Sequence, residues 1–190
     1  VRDLLQHRDG LMLGICNGFQ ALIKLGLAAY GDIRPITACD PTLTFNTIGR
    51  HQSMLVRTRI ASTGSPWLSK CSVGDQHTVA ISHGEGRFVA PQSVLDTLIA
   101  NGQIATQYVD QDGSPSMDMK YNPNGSVLAI EGITSPDARW AIRSAAASTC
   151  TKTSPATSIS LFSRAAWTIS RFDGIIKETS TQGGHPNVSA

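Results

Sequence analysis

Cys16 is the residue whose type and position best suit chemistry, because it stands in the string Gly14-Ile15-Cys16-Asn17-Gly18 between an apolar run and a segment with helical spacing. A reactive side chain at a sharp turn from strand to helix, flanked by small residues, is typical of a nucleophile elbow. Glycines are expected at positions 14 and 18, where a side chain would collide with neighbouring backbone. The positive end of the following helix would stabilise a thiolate, and the backbone N–H of Asn17 would point at a developing oxyanion. Alternatively, Cys16 is a small buried hydrophobe at the end of a strand.

The elements around this turn are predicted from apolar spacing. Residues 11–15 form a continuous apolar run, which predicts a buried strand, and residues 19–27 have the spacing of an amphipathic helix. Further strands are predicted at residues 53–60, 78–82 and 103–110, and a helix is predicted at residues 91–101. Helices that alternate with strands indicate an α/β domain, which we expect to contain a largely parallel sheet flanked by helices.

Composition and charge exclude several classes of protein. The chain has 190 residues, 41% of them hydrophobic, which fits one globular domain with a core. Its net charge is +2 without any basic stripe, so we expect neither a nucleic acid nor a membrane surface as partner. No apolar run approaches the roughly 18 residues of a membrane span, and the first residues lack the apolar core of a signal peptide. We therefore predict a cytoplasmic protein.

Cysteine and histidine spacing does not suggest a metal site or a disulfide framework. The four cysteines are widely separated and include no CxxC pair, so free thiols are predicted. The five histidines show no metal-ligand spacing.

Composition changes abruptly after Asp137, because nearly half of residues 138–190 are Ala, Ser or Thr. We predict one partial domain over residues 1–137 and a largely disordered tail over residues 138–190.

Longer strings carry a resemblance to a known family. LGICNGFQALIKLGL resembles the nucleophile segment of class I glutamine amidotransferases, in which a glutamine four residues after the cysteine, here Gln20, helps to hold the substrate. The strings PTLTFNTIGRHQSMLVRTRI, VAISHGEGRF, YNPNGS and IEGITSPD resemble the amidotransferase region of phosphoribosylformylglycinamidine synthases, the long single-chain form especially. The resemblance covers residues 1–137 and implies a flavodoxin-like α/β domain, truncated at its N-terminus relative to the family.

The resemblance implies a reaction and a set of binding residues. Cys16 would attack the side-chain amide of glutamine, form a glutamyl thioester and release ammonia to an ATP-dependent synthetase region. No cofactor is expected on this chain, whereas ATP and Mg²⁺ would belong to the parent's synthetase region. The family places His83, Gly84 and Glu85 beside the glutamine pocket; alternatively they form a tight turn in which Gly84 and Gly86 supply unusual dihedral angles. The same cleft is predicted to include Phe45, Asn46 and Arg50, while His77 is interpreted as structural.

One expected feature is missing from the sequence. Acyl transfer by cysteine needs a general base, which the family supplies as a histidine and a carboxylate in a motif of the form GKMGHSER. Here the corresponding stretch reads SPDARWAIRSAAASTC, and no histidine follows until His185. Codons read one base earlier from Arg139 onward can encode KMGHSER and a longer family-like segment. We therefore hypothesise a frameshift, and we expect the chain as given to be inactive.

Three alternatives remain open at this point. Another class I amidotransferase, such as a guanosine monophosphate or carbamoyl phosphate enzyme, would share the nucleophile segment. A catalytically inactive fragment would retain a glutamine-binding pocket without turnover. Finally, His83 and Glu85 themselves spell HxE and would act as substitute base and orienting carboxylate.

Overall fold

The structure is a computed structural model that describes residues 1, 3–4, 7–8 and 10–143, with side chains described up to residue 139. Eight strands are described: β1 (Met12–Ile15), β2 (Thr42–Thr44), β3 (Gln52–Ile60), β4 (Gln76–His83), β5 (Arg87–Val89), β6 (Ile104–Tyr108), β7 (Ile130–Thr134) and β8 (Trp140–Arg143). The α-helices in the same residues are α1 (Asn17–Lys24), α2 (Leu27–Tyr30) and α3 (Gln92–Ala100). Short 3₁₀ turns occur at Pro66–Leu68 and Val127–Ala129. This mixture confirms the predicted α/β class.

The strands form two sheets. The larger sheet has six strands in the order β1-β8-β7-β6-β3-β4, and β2 pairs with β5 in a second, two-stranded sheet. Among the described residues only β1 and β8 pair in parallel, and every other pairing is antiparallel. The prediction of a largely parallel sheet is therefore wrong for this part of the chain. A parallel neighbour needs a crossover of about a dozen residues or more, usually an α-helix, and no α-helix separates β3 from β4 or β7 from β8.

The helix after β1 packs one face into the main core. Phe19, Leu22 and Ile23 recur at helical spacing in α1 and are almost completely buried. Their core cluster also contains Phe88, whose ring stacks on that of Phe19 with centroids 6.4 Å apart. Since Phe88 lies in β5, this contact holds the helix that follows Cys16 against the strand that follows residues 83–86.

The last described strand lies inside the segment predicted to be disordered. β8 pairs with β1 on one side and with β7 on the other, so residues 140–143 are ordered within the tail that was predicted to be largely disordered. Pairing on both sides gives this stretch of backbone hydrogen-bond partners that composition alone does not reveal. Residues 144–190, on which the rest of that prediction falls, lie outside the described residues. In the described part of the chain, no helix is both long enough and apolar enough to cross a membrane.

Candidate active site

Cys16 adopts a strained backbone conformation at the junction of β1 and α1. Its φ of 53° and ψ of −113° lie where residues other than glycine are rarely found. Such a conformation costs about 1–3 kcal/mol and persists only where the surrounding structure enforces it. The predicted sharp turn from strand to helix is therefore present, and Cys16 is partly exposed at the start of a helix.

Gly14 allows this turn to close. A Cβ at position 14 would lie 2.8 Å from the carbonyl oxygen of Gly18 and 2.6 Å from Cδ1 of Leu22. Both separations are shorter than van der Waals contact, so the expectation that position 14 excludes a side chain is confirmed. Gly18 lies in the first turn of α1 and supplies the backbone against which Gly14 packs.

Asn17 stands directly after the candidate nucleophile. As the first residue of α1 it has a backbone N–H without an intrahelical acceptor, which suits the predicted role of oxyanion donor. The thiol of Cys16 makes one weak hydrogen bond among the described residues, to Oδ1 of Asn17 at 3.9 Å. No described histidine is hydrogen-bonded to the thiol, so the general base missing from the sequence is not replaced by a histidine in contact with Cys16.

Gln20 joins the turn at Cys16 to residues 83–86, which we call the 83–86 loop. Gln20 lies one helical turn after Cys16, and its side-chain Nε2 donates to the backbone oxygen of Glu85 at 3.1 Å. The same nitrogen lies 3.4 Å from Oε2 of Glu85. Fold and hydrogen bonding therefore bring together the two segments that the sequence analysis assigned to one pocket.

The 83–86 loop is hydrogen-bonded on its buried side to Asn46, which is 2% exposed. The carboxamide of Asn46 donates through Nδ2 to the backbone oxygen of His83 at 2.9 Å and accepts through Oδ1 from the N–H of Gly86 at 3.1 Å. The backbone N–H of Asn46 donates to the oxygen of Gly84 at 2.9 Å. Asn46 was predicted to line the cleft; it lies instead beneath the loop and fixes its backbone.

A second buried asparagine fixes the far end of the loop. Nδ2 of Asn124 donates to the backbone oxygen of Gly86 at 3.1 Å, and the hydroxyl of Ser126 donates to the same oxygen at 3.4 Å. Ser126 in turn exchanges hydrogen bonds with the side chain of Asn122. All three of these polar residues are fully buried. Their string, NPNGS, indicated only a turn and a family resemblance, so their role in holding the loop was missed.

These contacts leave a particular set of groups free on the loop. The four backbone oxygens of residues 83–86 all accept hydrogen bonds. In contrast, the N–H groups of Gly84 and Glu85 have no acceptor among the described residues, and the carboxylate of Glu85 has no cationic partner there. Glu85 is exposed. The loop therefore offers two hydrogen-bond donors and one negative charge next to the turn at Cys16, a combination that suits the carboxylate and ammonium groups of an amino acid.

His83 does not take part in this set through its side chain. His83 is 7% exposed, and neither nitrogen of its imidazole has a hydrogen-bond partner among the described residues. Burial lowers the pKa of His83 below its ordinary value, which keeps the ring neutral near pH 7. The ring makes no hydrogen bond to Cys16 or Glu85, so this geometry does not favour the alternative in which His83 and Glu85 replace the missing base pair. The expectation that His83 lies beside the glutamine pocket stays a prediction.

Close packing explains one of the two glycines of the loop, Gly86. Neither Gly84 nor Gly86 has a positive φ, so that part of the tight-turn interpretation is wrong. A Cβ on Gly86 would lie 2.1 Å from Cε1 of His83, which shows that the ring occupies the space a side chain would need. At Gly84 a Cβ would meet nothing within 4 Å.

The remaining predicted residues lie at the edge of this region. Phe45 is 67% exposed, and Arg50 is exposed while its backbone oxygen accepts from Nδ2 of Asn46 at 3.1 Å. His77 is half-buried on β4, away from the 83–86 loop along the strand. Among the residues that the structure describes, no group of three His, Cys, Asp or Glu side chains could hold a metal ion.

Comparisons with known proteins agree on one family. The model of the CobB/CobQ-like glutamine amidotransferase domain matches residues 1–158. The phosphoribosylformylglycinamidine synthase subunit PurQ of Thermomicrobium roseum is 37% identical over 125 residues, which cover 64% of this chain and 46% of that protein. The same subunit of Salinibacter ruber is 36% identical over 124 residues, covering 65% and 47%. The chain thus spans about half the length of the curated relatives it matches.

A solved structure supports the fold independently. The structure of PurLQS from Thermotoga maritima aligns with a TM-score of 0.53 and 22% sequence identity, over 73% of this chain and 51% of that one. At this identity the match concerns the fold alone.

Proposed function

Because the chain belongs to the CobB/CobQ-like glutamine amidotransferase domain family, we propose that it is the glutamine-hydrolysing part of a phosphoribosylformylglycinamidine synthase. One observation carries the proposal. The strained turn at Cys16 is joined through Gln20 to a loop whose free groups match the charged end of an amino acid. A buried structural cysteine would need neither the strain nor the adjacent loop.

The geometry suggests how each residue acts on glutamine. The carboxylate of Glu85 binds the α-ammonium group, and the free N–H groups of Gly84 and Glu85 bind the α-carboxylate. The thiolate of Cys16 then attacks the side-chain carbonyl carbon, and the negative oxygen that forms is stabilised by the N–H of Asn17. The C–N bond breaks as the nitrogen takes up a proton, which yields ammonia and a γ-glutamyl thioester. Water hydrolyses the thioester to glutamate and restores the thiol.

The released ammonia is proposed to serve a synthetase partner. By family resemblance, an ATP- and Mg²⁺-dependent synthetase region uses it to amidate formylglycinamide ribonucleotide in the cytoplasm. The strings of residues 41–60 and 79–88 favour the long single-chain form, in which both activities share one polypeptide. The relatives compared above are named as subunits, so the size of the native protein distinguishes these arrangements.

A second candidate is a chain that binds glutamine without turning it over. It is favoured by the missing histidine–carboxylate pair and by the buried ring of His83, which makes no hydrogen bond to Cys16. We propose that the stretch after residue 138 results from a frameshift, and that the parent protein carries KMGHSER there. Under this proposal the pocket survives in the present chain while proton transfer to the leaving nitrogen is impaired.

The pocket is tested by thiol protection. L-glutamine is expected to slow the alkylation of Cys16 by iodoacetamide, while the exposed Cys39 in the same sample reacts at an unchanged rate. D-glutamine controls for the stereochemistry of the α-carbon and should protect weakly. Peptide mapping by mass spectrometry measures both cysteines at once. Equal rates at Cys16 with and without L-glutamine would show that no glutamine pocket adjoins it.

A further inference from the structure

We propose that Asn46 is a positioning residue for glutamine recognition, which it controls by fixing the backbone of the 83–86 loop. The inference rests on the proposed function, because it concerns how the same pocket is held in shape. Asn46 was expected to line the cleft, but it is buried and cannot present its carboxamide to a ligand at the surface. Its effect on binding must therefore pass through the residues it holds.

Three hydrogen bonds from this one residue reach three of the four loop positions. The carboxamide contacts His83 at the start of the loop and Gly86 at its end, and the main chain contacts Gly84 between them. Because the carboxamide donates at one end and accepts at the other, it fixes the separation of the loop's two ends. Glu85, which Asn46 does not contact, bears the carboxylate that has no cationic partner among the described residues.

The segment that contains Asn46 is itself anchored. Thr47 donates to the backbone oxygen of Asn124 through its N–H at 3.1 Å and through its hydroxyl at 3.2 Å. Asn124 holds the carbonyl of Gly86. The loop is therefore held by the segments that contain Asn46 and Asn124, which are hydrogen-bonded to each other. Because these segments are fixed, their movement should not replace hydrogen bonds lost at Asn46.

This arrangement places the groups proposed to bind glutamine on a different segment from the thiol of Cys16. The groups proposed to bind the charged end of glutamine lie on the loop, whereas Cys16 lies at the junction of β1 and α1. Asn46 makes no hydrogen bond to Cys16, Asn17 or Gln20. Removing its carboxamide should therefore weaken recognition of the amino-acid head and leave the reactivity of the thiol unchanged.

The test uses the full chain and a chloroketone analogue of L-glutamine, which alkylates a thiol without a general acid. The rate of Cys16 alkylation is measured against analogue concentration for the wild type, Asn46→Ala and the control Gln103→Ala. Gln103 is a comparably buried carboxamide that bridges the backbone oxygens of Ala29 and Thr134, away from the loop. Iodoacetamide, which lacks an amino-acid head, reports thiol reactivity in each variant, and thermal unfolding reports stability.

For Asn46→Ala we expect the half-saturating analogue concentration to rise by about tenfold or more, with less than about a twofold change in the maximal rate and in the iodoacetamide rate. Gln103→Ala should lower stability without raising that concentration. If Asn46→Ala does not fold, Asn46→Ser, which keeps one hydroxyl donor, is expected to show a smaller rise of the same kind. An unchanged half-saturating concentration, or an equal rise in Gln103→Ala, would overturn the positioning role. A wild type that reacts without saturation would instead refute the glutamine pocket.

Discussion

At the scale of single residues, the turn at Cys16 combines backbone strain with close packing. The positive φ of Cys16 is enforced where Gly14 meets the backbone of Gly18, so the nucleophile position depends on the absence of a side chain two residues before it. Gly18, the partner in this contact, belongs to the first turn of α1. The strained backbone of Cys16, the close packing of Gly14 and the proposed oxyanion donor Asn17 thus all lie within residues 14–18.

Replacement of Gly14 tests this packing. Gly14→Ala is expected to lower the free energy of unfolding by about 1–3 kcal/mol or more, because the new methyl group would overlap the Gly18 backbone and Leu22. Gly64→Ala is the matched control, since a Cβ there would meet its nearest atom at 3.7 Å and its φ is not positive. Denaturant unfolding measures both variants. Equal stability of the two alanine variants would mean that position 14 is not crowded.

Replacement of Glu85 tests recognition of the ammonium group. Glu85→Gln keeps the backbone oxygen that accepts from Gln20 but removes the charge, so the Kd for L-glutamine should rise about tenfold or more, as expected for loss of a charge-assisted hydrogen bond. Asp96→Asn neutralises an exposed acid on α3 and should leave the Kd unchanged. Titration calorimetry measures both. An unaltered Kd in Glu85→Gln would remove Glu85 from the binding site.

Residue identities at the nucleophile could be predicted because their partners are close in sequence. The turn is formed by contacts among Gly14, Cys16 and Gly18, which lie within five positions of one another. The local string is therefore enough to predict it. The roles of Asn46 and Asn124 could not be predicted in the same way. Each holds a loop about forty positions distant, and a buried asparagine is indistinguishable from a surface asparagine in a single sequence.

At the scale of elements, the end of β4 is built around a neutral histidine. The ring of His83 lies against Gly86, which leaves no room for a hydrogen-bonding partner on that side. Desolvation is the main cause and lowers the pKa of His83; its own backbone and the buried Glu131 favour the charged form of the ring, while His51 disfavours it. Protonation of His83 therefore opposes the folded arrangement of the loop.

This burial predicts a pH dependence of stability. Since the pKa of His83 is lower in the folded chain than its ordinary value of about 6.5, the unfolded chain binds more protons below that pH. The contribution of His83 to stability should thus be intact above about pH 7 and should decline as the pH falls below about 6.5, by at most about 1.4 kcal/mol per pH unit. Unfolding is compared with His83→Gln from pH 5 to 8. A constant difference between the two proteins over this range would contradict the prediction.

The elements were predicted better than their pairing. The strand before Cys16 and the helix after it follow from local apolar spacing, and both are present as β1 and α1. Strand direction was predicted wrongly because it depends on whether an α-helix fills each connection, and the connections of β3 to β4 and β7 to β8 contain no α-helix. β8 was missed because its strand conformation depends on pairing with β1 and β7, which its own sequence does not indicate.

At the scale of the whole molecule, the proposed nucleophile, Cys16, has no identified general base. Residues 1–143 contain the elements that position Cys16 and the 83–86 loop, while the histidine–carboxylate motif expected of the family is absent from the sequence. A general base contributes about 10²–10⁴-fold to such reactions. Binding and turnover should therefore be separable in this protein.

Restoring the motif tests that separation. A version in which the residues from Arg139 onward are replaced by the alternative reading that begins KMGHSER is expected to release ammonia from L-glutamine at least about a hundredfold faster than the chain as given. Cys16→Ala in the restored version should abolish the release. Equal ammonia release by the two versions would show that a base elsewhere serves Cys16, and sequencing the transcript across codons 130–175 would show which reading is native.

The central claim is that Cys16 lies in a pocket specific for glutamine, and site mapping with the chloroketone analogue tests it most directly. After treatment of the full chain at a low analogue concentration, digestion and mass spectrometry should locate one adduct on the peptide that contains Cys16. An excess of L-glutamine should prevent the adduct, and Cys16→Ser should not form it. Equal labelling of the exposed Cys39, or labelling of Cys16 that L-glutamine does not reduce, would contradict the account.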